Sequence, residues 1–352
     1  MADPWRGQEQ LGLSTARNSR HKGSLRAGRV RGPCGTLRTM TRRALLLLIA
    51  TIAAVPFLRA QMPHDNSQDW AKAKLEQSTR HREYVPVKAG GRTLNTLVIY
   101  PERSTKAPVV VLIHEIFGLS NWMKLQADEL AAEGFIVVAP DLLSGKGADG
   151  GGTDAMGGQD NVVQAVMKLD AAEVVTDLDA VSDYGKSLPS ADGKLFVAGF
   201  CWGGGKSFAF ATHRKDLAAA FVFYGPPPPA ADMVAISAPV YGFYGGNDNR
   251  IDATIPQTVA DMKAANKFYE PVTYPDAGHG FMRAGQAPDA KPADQQAFAQ
   301  GFARLLLQLR AHEHSRAHTT SHGKLTQPGL KGKGSAVAEA SISRCHDTAA
   351  GM

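Results

Sequence analysis

The sequence predicts one α/β domain, a mostly parallel central sheet with helices on both faces. Five short runs carry that prediction: Pro108 to His114, Phe135 to Ala139, Leu195 to Ala198, Ala219 to Tyr224 and Val240 to Tyr244. Each is almost wholly apolar and of strand length, as strands covered on both faces require. Segments with helical spacing separate them, and such alternation means parallel strands joined by right-handed crossovers. The composition, 43% hydrophobic and 20% charged over 352 residues, is ordinary for a globular protein. One domain spanning residues 61–310 accounts for these elements, and no internal repeat divides it.

In chain order, Asp65 to His81 is polar and reads as a helical or extended arm. Glu83 to Val87 and Thr93 to Tyr100 alternate in polarity and suit an antiparallel pair turning at Gly90-Gly91. The Pro108 run is the central strand and ends at Glu115. Trp122 to Glu133 puts Leu125, Leu130 and Ala131 on one helical side, and Gly134 stands where a C-terminal capping glycine belongs. After the Phe135 strand, Pro140 opens a glycine-rich loop to Gly158. Its glycines lack the Walker spacing and the Lys-Ser/Thr pair, so Ser144 to Gly158 reads as a mobile loop, a lid, rather than a phosphate cradle. Ala165 to Leu188 is helical material interrupted near Asp170. It leads into the Leu195 strand, a sharp turn at Cys201 and a helix through Ser207 to Thr212. Beyond the Ala219 strand, Pro226 to Pro229 is a rigid turn; Ile255 to Asn266 is a helix and Pro271 to Tyr274 the last strand. Gln295 to Arg310 closes the domain as a helix with Phe298, Phe302, Leu305 and Leu309 in register.

The net charge of +6 belongs to the chain ends. Residues 1–60 hold eleven Lys or Arg against Asp3 and Glu9, and residues 311–352 hold five against three, which leaves −5 for residues 61–310. No nucleic-acid partner follows from the basic pI. Residues 1–39 have no apolar period and read as a disordered or untranslated leader. From Met40, Arg42-Arg43 precedes an apolar run from Ala44 to Phe57, with a plausible cleavage site at Leu58-Arg59-Ala60. This reads as a signal peptide over residues 40–60, for a periplasmic or secreted protein. The 14-residue run is short of the roughly 20 residues that span a bilayer, so no stable membrane anchor is expected after cleavage. Cys34 and Cys345 lie outside the domain, which leaves Cys201 alone and no disulfide framework. Residues 311–352 read as a disordered tail, and the tract His312, His314, His318 and His322 as incidental rather than metal-binding.

In a parallel sheet, functional residues gather where strands end at their carboxyl side. Cys201, Glu115, Asp248 and His279 all follow strands there. Gly199-Phe200-Cys201-Trp202-Gly203 has the strand, turn and helix pattern of a nucleophile elbow with cysteine in place of serine. Taken alone, that motif is equally a buried small hydrophobe. The order nucleophile, acid, histidine is the chain order of α/β-hydrolase triads, which makes the α/β-hydrolase fold the expected architecture. In that frame Cys201 attacks a carbonyl, His279 moves the proton and Asp248 orients the imidazole, with Asp252 a rival for the acid. The N–H groups of Trp202 and Ile116 are placed to form an oxyanion hole. Glu115 is either a site residue or a solvated loop carboxylate.

The motifs His114-Glu115-Ile116-Phe117-Gly118-Leu119, Ala139-Pro140-Asp141-Leu142, Gly199-Phe200-Cys201-Trp202-Gly203-Gly204 and Ala277-Gly278-His279-Gly280-Phe281 resemble those of the dienelactone hydrolase (carboxymethylenebutenolidase) family. The likeness covers residues 83–310. It implies a triad of Cys201, His279 and Asp248, and a Glu115 that contacts the resting thiol and assists its ionisation. It also implies an Arg283 that helps hold a substrate carboxylate. Gly280 stands where the family's typical enzyme has serine, and no second substrate-binding arginine is evident in Ser144 to Gly158.

The function expected is hydrolysis of a small ester or lactone through an acyl-enzyme, with no cofactor and no metal. A broader esterase or thioesterase, and a catalytically silent scaffold, are the alternatives. The oligomeric state is left open, a monomer included. The export reading is checked on the mature protein: N-terminal sequencing is expected to start near Gln61, and retention of Met40 to Ala60 contradicts a cleaved signal.

Overall fold

The computed structural model describes residues 68–314. Residues 1–67, which include the segments read as leader and signal peptide, and residues 315–352 lie outside the described residues, as do Cys34, Cys345, His318 and His322. Helix α1 (Asp69–Glu76) precedes the hairpin of β1 (Arg82–Ala89) and β2 (Arg92–Ile99). Then follow β3 (Ala107–Ile113), α2 (Asn121–Ala132), β4 (Ile136–Pro140), α3 (Gln159–Met167), α4 (Ala171–Ser187), β5 (Ala191–Phe200) and α5 (Trp202–His213). The chain continues through β6 (Leu217–Phe223), α6 (Ala230–Met233), β7 (Val240–Gly245), α7 (Asn249–Asp252) and α8 (Ile255–Ala264). It closes with β8 (Tyr269–Tyr274), α9 (Phe281–Ala284) and α10 (Pro292–His314). The closing helix runs four residues past its expected end at Arg310.

The eight strands form one sheet in the order β1-β2-β4-β3-β5-β6-β7-β8. Strands β3 to β8 pair in parallel, while β2 runs antiparallel to both β1 and β4. Both edge strands carry a proline, Pro86 and Pro271, which blunts the sheet edges against further pairing. The sheet is buried on both faces, and its side chains alternate between them. Val109, Val111 and Ile113 of β3 join one apolar cluster with Val174 and Leu178 of α4 and Phe208 of α5. Val110 and Leu112 join the other, with Trp122 of α2 and Leu305 and Leu309 of α10. Continuous apolar runs therefore mark doubly covered strands, as the sequence predicted.

Asp170, where helical periodicity lapses, caps α4 by accepting hydrogen bonds from the backbone N–H groups of Ala172 and Glu173. The expected interruption is real, and it separates α3 from α4. Gly134 follows α2 with φ of +101°, a conformation that an L side chain avoids. The loop after β4 is tied down rather than free. The Thr153 hydroxyl donates to Asp141 Oδ1 at 2.8 Å and accepts from the Leu119 N–H at 3.0 Å, so Thr153 bridges the segments after β3 and β4. Lys124 holds the neighbouring Asp154 at 3.1 Å.

The sheet order reverses around β3, whose neighbours are β4 and β5. Such a switch point opens a crevice at the carboxyl ends of the strands. Helix α5 reaches that crevice only because glycines line its approach. A Cβ on Gly199 would lie 2.0 Å from the Gly203 carbonyl oxygen, and one on Gly203 would lie 2.4 Å from that of His114. Gly199→Ala is therefore expected to lower stability by about 1–3 kcal/mol in denaturant unfolding. The control Gly91→Ala, at an exposed turn with nothing near its Cβ, is expected to stay within about 0.5 kcal/mol of the parent.

Candidate active site

Cys201 occupies the turn between β5 and α5 with φ 55° and ψ −116°. Its N–H donates to the Phe223 carbonyl at 3.0 Å and its carbonyl accepts from the Gly205 N–H at 3.2 Å, which locks a conformation that few non-glycine residues adopt. His279 Nε2 lies 3.1 Å from Cys201 Sγ. On its other side His279 Nδ1 lies 2.5 Å from Asp248 Oδ2. Since a carboxylate only accepts, Nδ1 carries a proton and Nε2 is the nitrogen that faces the sulfur.

The loops bearing Asp248 and His279 are held to each other by backbone contacts. Asn247 N–H donates to the Ala277 carbonyl at 2.9 Å, and a Cβ on Gly245 would lie 2.6 Å from the Gly278 carbonyl oxygen. Asp248, 7% exposed, also accepts from the Ile251 N–H at 3.4 Å. Asp252, the rival acid, makes no hydrogen bond to His279; its Oδ1 is buried without a hydrogen-bond partner among the described residues. Burial opposes charge on His279, but the hydrogen bonds to Asp248 and Cys201 outweigh it and raise its pKa to about 9.

Glu115 follows β3 and is 1% exposed, so it is no solvated loop carboxylate. Burial raises its pKa, opposed by the charge and hydrogen bond of Arg283. Arg283 Nε donates to Glu115 Oε2 at 3.0 Å, and its guanidinium lies 5.1 Å from the centre of the Phe117 ring. The expected contact between Glu115 and the resting thiol is thus not the arrangement seen. The nearby guanidinium supplies the partner that a buried carboxylate needs, and the sulfur faces His279 instead.

Ile116 and Trp202 sit at the carboxyl ends of β3 and β5, which are neighbours paired as far as Ile113 and Gly199. Trp202 is the first residue of α5, a position at which helix geometry leaves the N–H without an intrahelical acceptor. Its indole stacks on His114 at 5.7 Å, and His114 Nδ1 donates to the Glu115 carbonyl at 2.7 Å, which fixes that turn. No metal-ligating group of three or more His, Cys, Asp or Glu occurs among the described residues. His312 of the histidine tract instead faces the Tyr241 hydroxyl at 2.8 Å.

Sequence reasoning missed Tyr224. This residue directly follows β6 with φ 39°, is fully buried, and packs edge-on against His279 at 5.0 Å between ring centres. Its hydroxyl faces the buried Glu115 carboxylate and hydrogen-bonds with it. Burial, then the charges of Glu115 and Cys201, push its pKa well up. The signal available was the break Tyr224-Gly225-Pro226 at the end of a strand beside the elbow strand.

A doubly covered, mostly parallel sheet with an elbow cysteine after β5, an acid after β7 and a histidine after β8 defines an α/β-hydrolase. Residues 94–312 match the model of the dienelactone hydrolase family, and the chain belongs to that family. It is a carboxylic ester hydrolase of the dienelactone hydrolase type. A protein of Escherichia coli provisionally named carboxymethylenebutenolidase is 32% identical over 211 residues, covering 56% of this chain and 75% of that one. The carboxymethylenebutenolidase of Pseudomonas putida is 28% identical over 196 residues, covering 55% and 82%. The crystal structure of a provisionally named dienelactone hydrolase from Klebsiella pneumoniae superposes with a TM-score of 0.58 at 26% identity, over 66% of this chain and 99% of that one.

The raised pKa has a sign that can be checked. A histidine held above its ordinary value of about 6.5 contributes stability that is fully present below that pH and is lost as pH rises through about 9. In an NMR titration of the folded protein, the His279 imidazole is expected to titrate at about 9. Asp248→Asn is expected to bring that midpoint down towards the ordinary value; an unchanged midpoint contradicts the pairing.

Proposed function

We propose that the protein hydrolyses a small carboxylate-bearing ester or lactone through a covalent thioester on Cys201. The observation that supports this most is the continuous hydrogen-bonded line from Cys201 Sγ through His279 to Asp248. His279, whose raised pKa favours the imidazolium, holds the proton given up by the thiol as the sulfur bonds to the carbonyl carbon. The tetrahedral oxyanion then faces the N–H groups of Ile116 and Trp202. As the intermediate collapses, the carbon–oxygen bond breaks and His279 returns the proton to the leaving oxygen. Water, deprotonated by His279, attacks the thioester; the carbon–sulfur bond breaks and the proton goes back to the sulfur. Asp248 keeps the imidazole in one tautomer throughout. Bonds and protons balance, and no cofactor enters.

Arg283 is the proposed anchor for the substrate carboxylate. Its Nε is spent on Glu115, which leaves the two terminal nitrogens of a half-buried guanidinium for a second anion. The two named carboxymethylenebutenolidase relatives support a lactone substrate. Export of the enzyme through the segment 40–60 is part of this proposal and places its substrate outside the cytoplasm.

With protein beginning at residue 61, a panel of aryl esters and small lactones is expected to be cleaved by the wild type with a burst of product equal to one acyl group per chain. Cys201→Ala is expected to lose turnover by a factor of at least about 1,000, while retaining the fold. Equal rates for the two proteins would falsify the nucleophile assignment, and a wild type inert on the whole panel would return the fold to a binding role.

A further inference from the structure

The turn that carries Arg283 is braced from below by a hydrogen-bonded cluster outside the reacting groups. Helix α9 is a single turn that begins directly after His279 and Gly280, and Gln286 follows it. The Gln286 amide is held through both its oxygen and its nitrogen. Its Oε1 accepts from Trp122 Nε1 at 2.7 Å and from Gln126 Nε2 at 2.7 Å. Its Nε2 donates to Glu129 Oε1 at 2.9 Å and Oε2 at 2.7 Å. Gln126 Nε2 closes the ring by donating to Glu129 Oε2 at 2.7 Å. Trp122 and Gln126 are 0% and 1% exposed while Gln286 and Glu129 are partly buried, so water is kept from the Trp122 and Gln126 ends of the cluster.

The donor pattern leaves one consistent assignment. An indole N–H only donates, so it must meet the amide oxygen, and an ionised carboxylate only accepts, so it must meet the amide nitrogen. An amide is the side chain that can serve both neighbours at this position. The other end of the cluster reaches the elbow. The Trp122 ring packs edge-on against Phe200 at 5.1 Å, and Phe200 immediately precedes Cys201. Trp122 is itself pinned through its backbone N–H, which donates to Gln68 Oε1 at 2.8 Å.

We infer that Gln286 is a positioning residue: its bonds to Trp122, Gln126 and Glu129 hold the α9 turn against α2, and so fix Arg283 at the distance from which it binds Glu115 and a substrate carboxylate. The substrate half of this statement rests on the proposed function; the Arg283 half does not. Arg283 lies three residues from Gln286 and its backbone carbonyl accepts from the Gln286 N–H at 3.3 Å, so the brace acts on the same turn. Hydrogen bonds within such a closed network act as a unit, and loss of one member leaves the others unsatisfied.

The test uses the domain with a native-length C-terminus, labelled with nitrogen-15, and reads the Arg283 Nε–H resonance. Kinetics are followed on p-nitrophenyl succinate, which has one free carboxylate, and on neutral p-nitrophenyl butyrate. In the wild type the Nε–H is expected to be sharp and slowly exchanging because Glu115 holds it. Gln286→Ala and Gln286→Glu are each expected to broaden or abolish it, the latter by setting two carboxylates together. They are also expected to raise KM for the succinate ester about tenfold while leaving KM for the butyrate ester within about twofold. Gln286→Glu combined with Glu129→Gln restores the donor and acceptor pattern and is expected to recover both the resonance and KM to within about threefold. If the single variants do not fold, recovery of the folded state together with the resonance in the combined variant supports the assignment. An unchanged Arg283 resonance in a folded single variant overturns it. So does a combined variant that regains its melting temperature without regaining the resonance, and so does an equal rise in KM for both esters. A wild type that cleaves neither ester defeats the proposed function, while the resonance series still decides the positioning role.

Discussion

The close passage of α5 across the ends of β3, β5 and β6 is the constraint on which the rest of the site depends. A strand that turns into a helix within one residue needs a backbone outside the ordinary regions, and Cys201 supplies it at φ 55°. A non-glycine residue held there costs about 1–3 kcal/mol. The surroundings offset that cost through two backbone hydrogen bonds at Cys201 and through side chains that are absent. Gly199 and Gly203 clear the elbow, while Gly204 and Gly225 let the helix meet the next strand: a Cβ on Gly204 would lie 2.3 Å from the Phe223 carbonyl oxygen, and one on Gly225 would lie 2.2 Å from the Gly205 nitrogen. The glycine-rich run is thus a packing requirement first. Its chemical consequence is a sulfur lifted to the rim where other strand ends deliver their residues.

Most of the architecture was legible in the sequence because it follows from burial. The β3 and β5 runs are apolar at every position since both faces of each strand are covered, and Asp170 breaks the helical period since it caps a new helix. The sheet order was not legible. Nothing local in Thr93 to Tyr100 or Phe135 to Ala139 says that these two strands would pair antiparallel, because that pairing is set by where the chain returns after α2. Ser144 to Gly158 looked mobile because glycine density reports backbone freedom, not tertiary bonds. The Thr153 bridge between Asp141 and Leu119 is made by ordinary residues that carry no such signal.

The candidate site divides in the same way. Cys201, Asp248 and His279 could be picked out because each follows a strand in a fixed chain order, and the structure brings the three into one hydrogen-bonded line. Choosing Asp248 over Asp252 required distances, since both are acids near the end of β7. The partner of Glu115 was equally beyond reach, because a carboxylate at a strand end can meet a thiol or a guanidinium with equal chemical sense. Tyr224 escaped notice for a different reason. Tyrosine at the end of an apolar strand looks like core, and only its backbone angle and the approach of its hydroxyl to Glu115 mark it out.

That backbone angle separates this elbow from a buried cysteine with glycine neighbours. Six non-glycine residues have positive φ among the described residues: Gln68, Asp149, Cys201, Tyr224, Asn266 and Asp276. Asn and Asp tolerate this region through short polar side chains that bond locally, so Asp149, Asn266 and Asp276 are cheap. Cys201 and Tyr224 have no such relief, and they stand at the ends of adjacent strands facing the same histidine. Glu115 and Arg283 add a largely buried ion pair at the end of the strand on the other side of β5, where desolvation opposes attraction and an apolar pair would pack more cheaply. A core cysteine needs none of these costs. Their coincidence around one sulfur, in a sheet whose strands elsewhere follow the rules of burial, is what selection for stability alone would have removed.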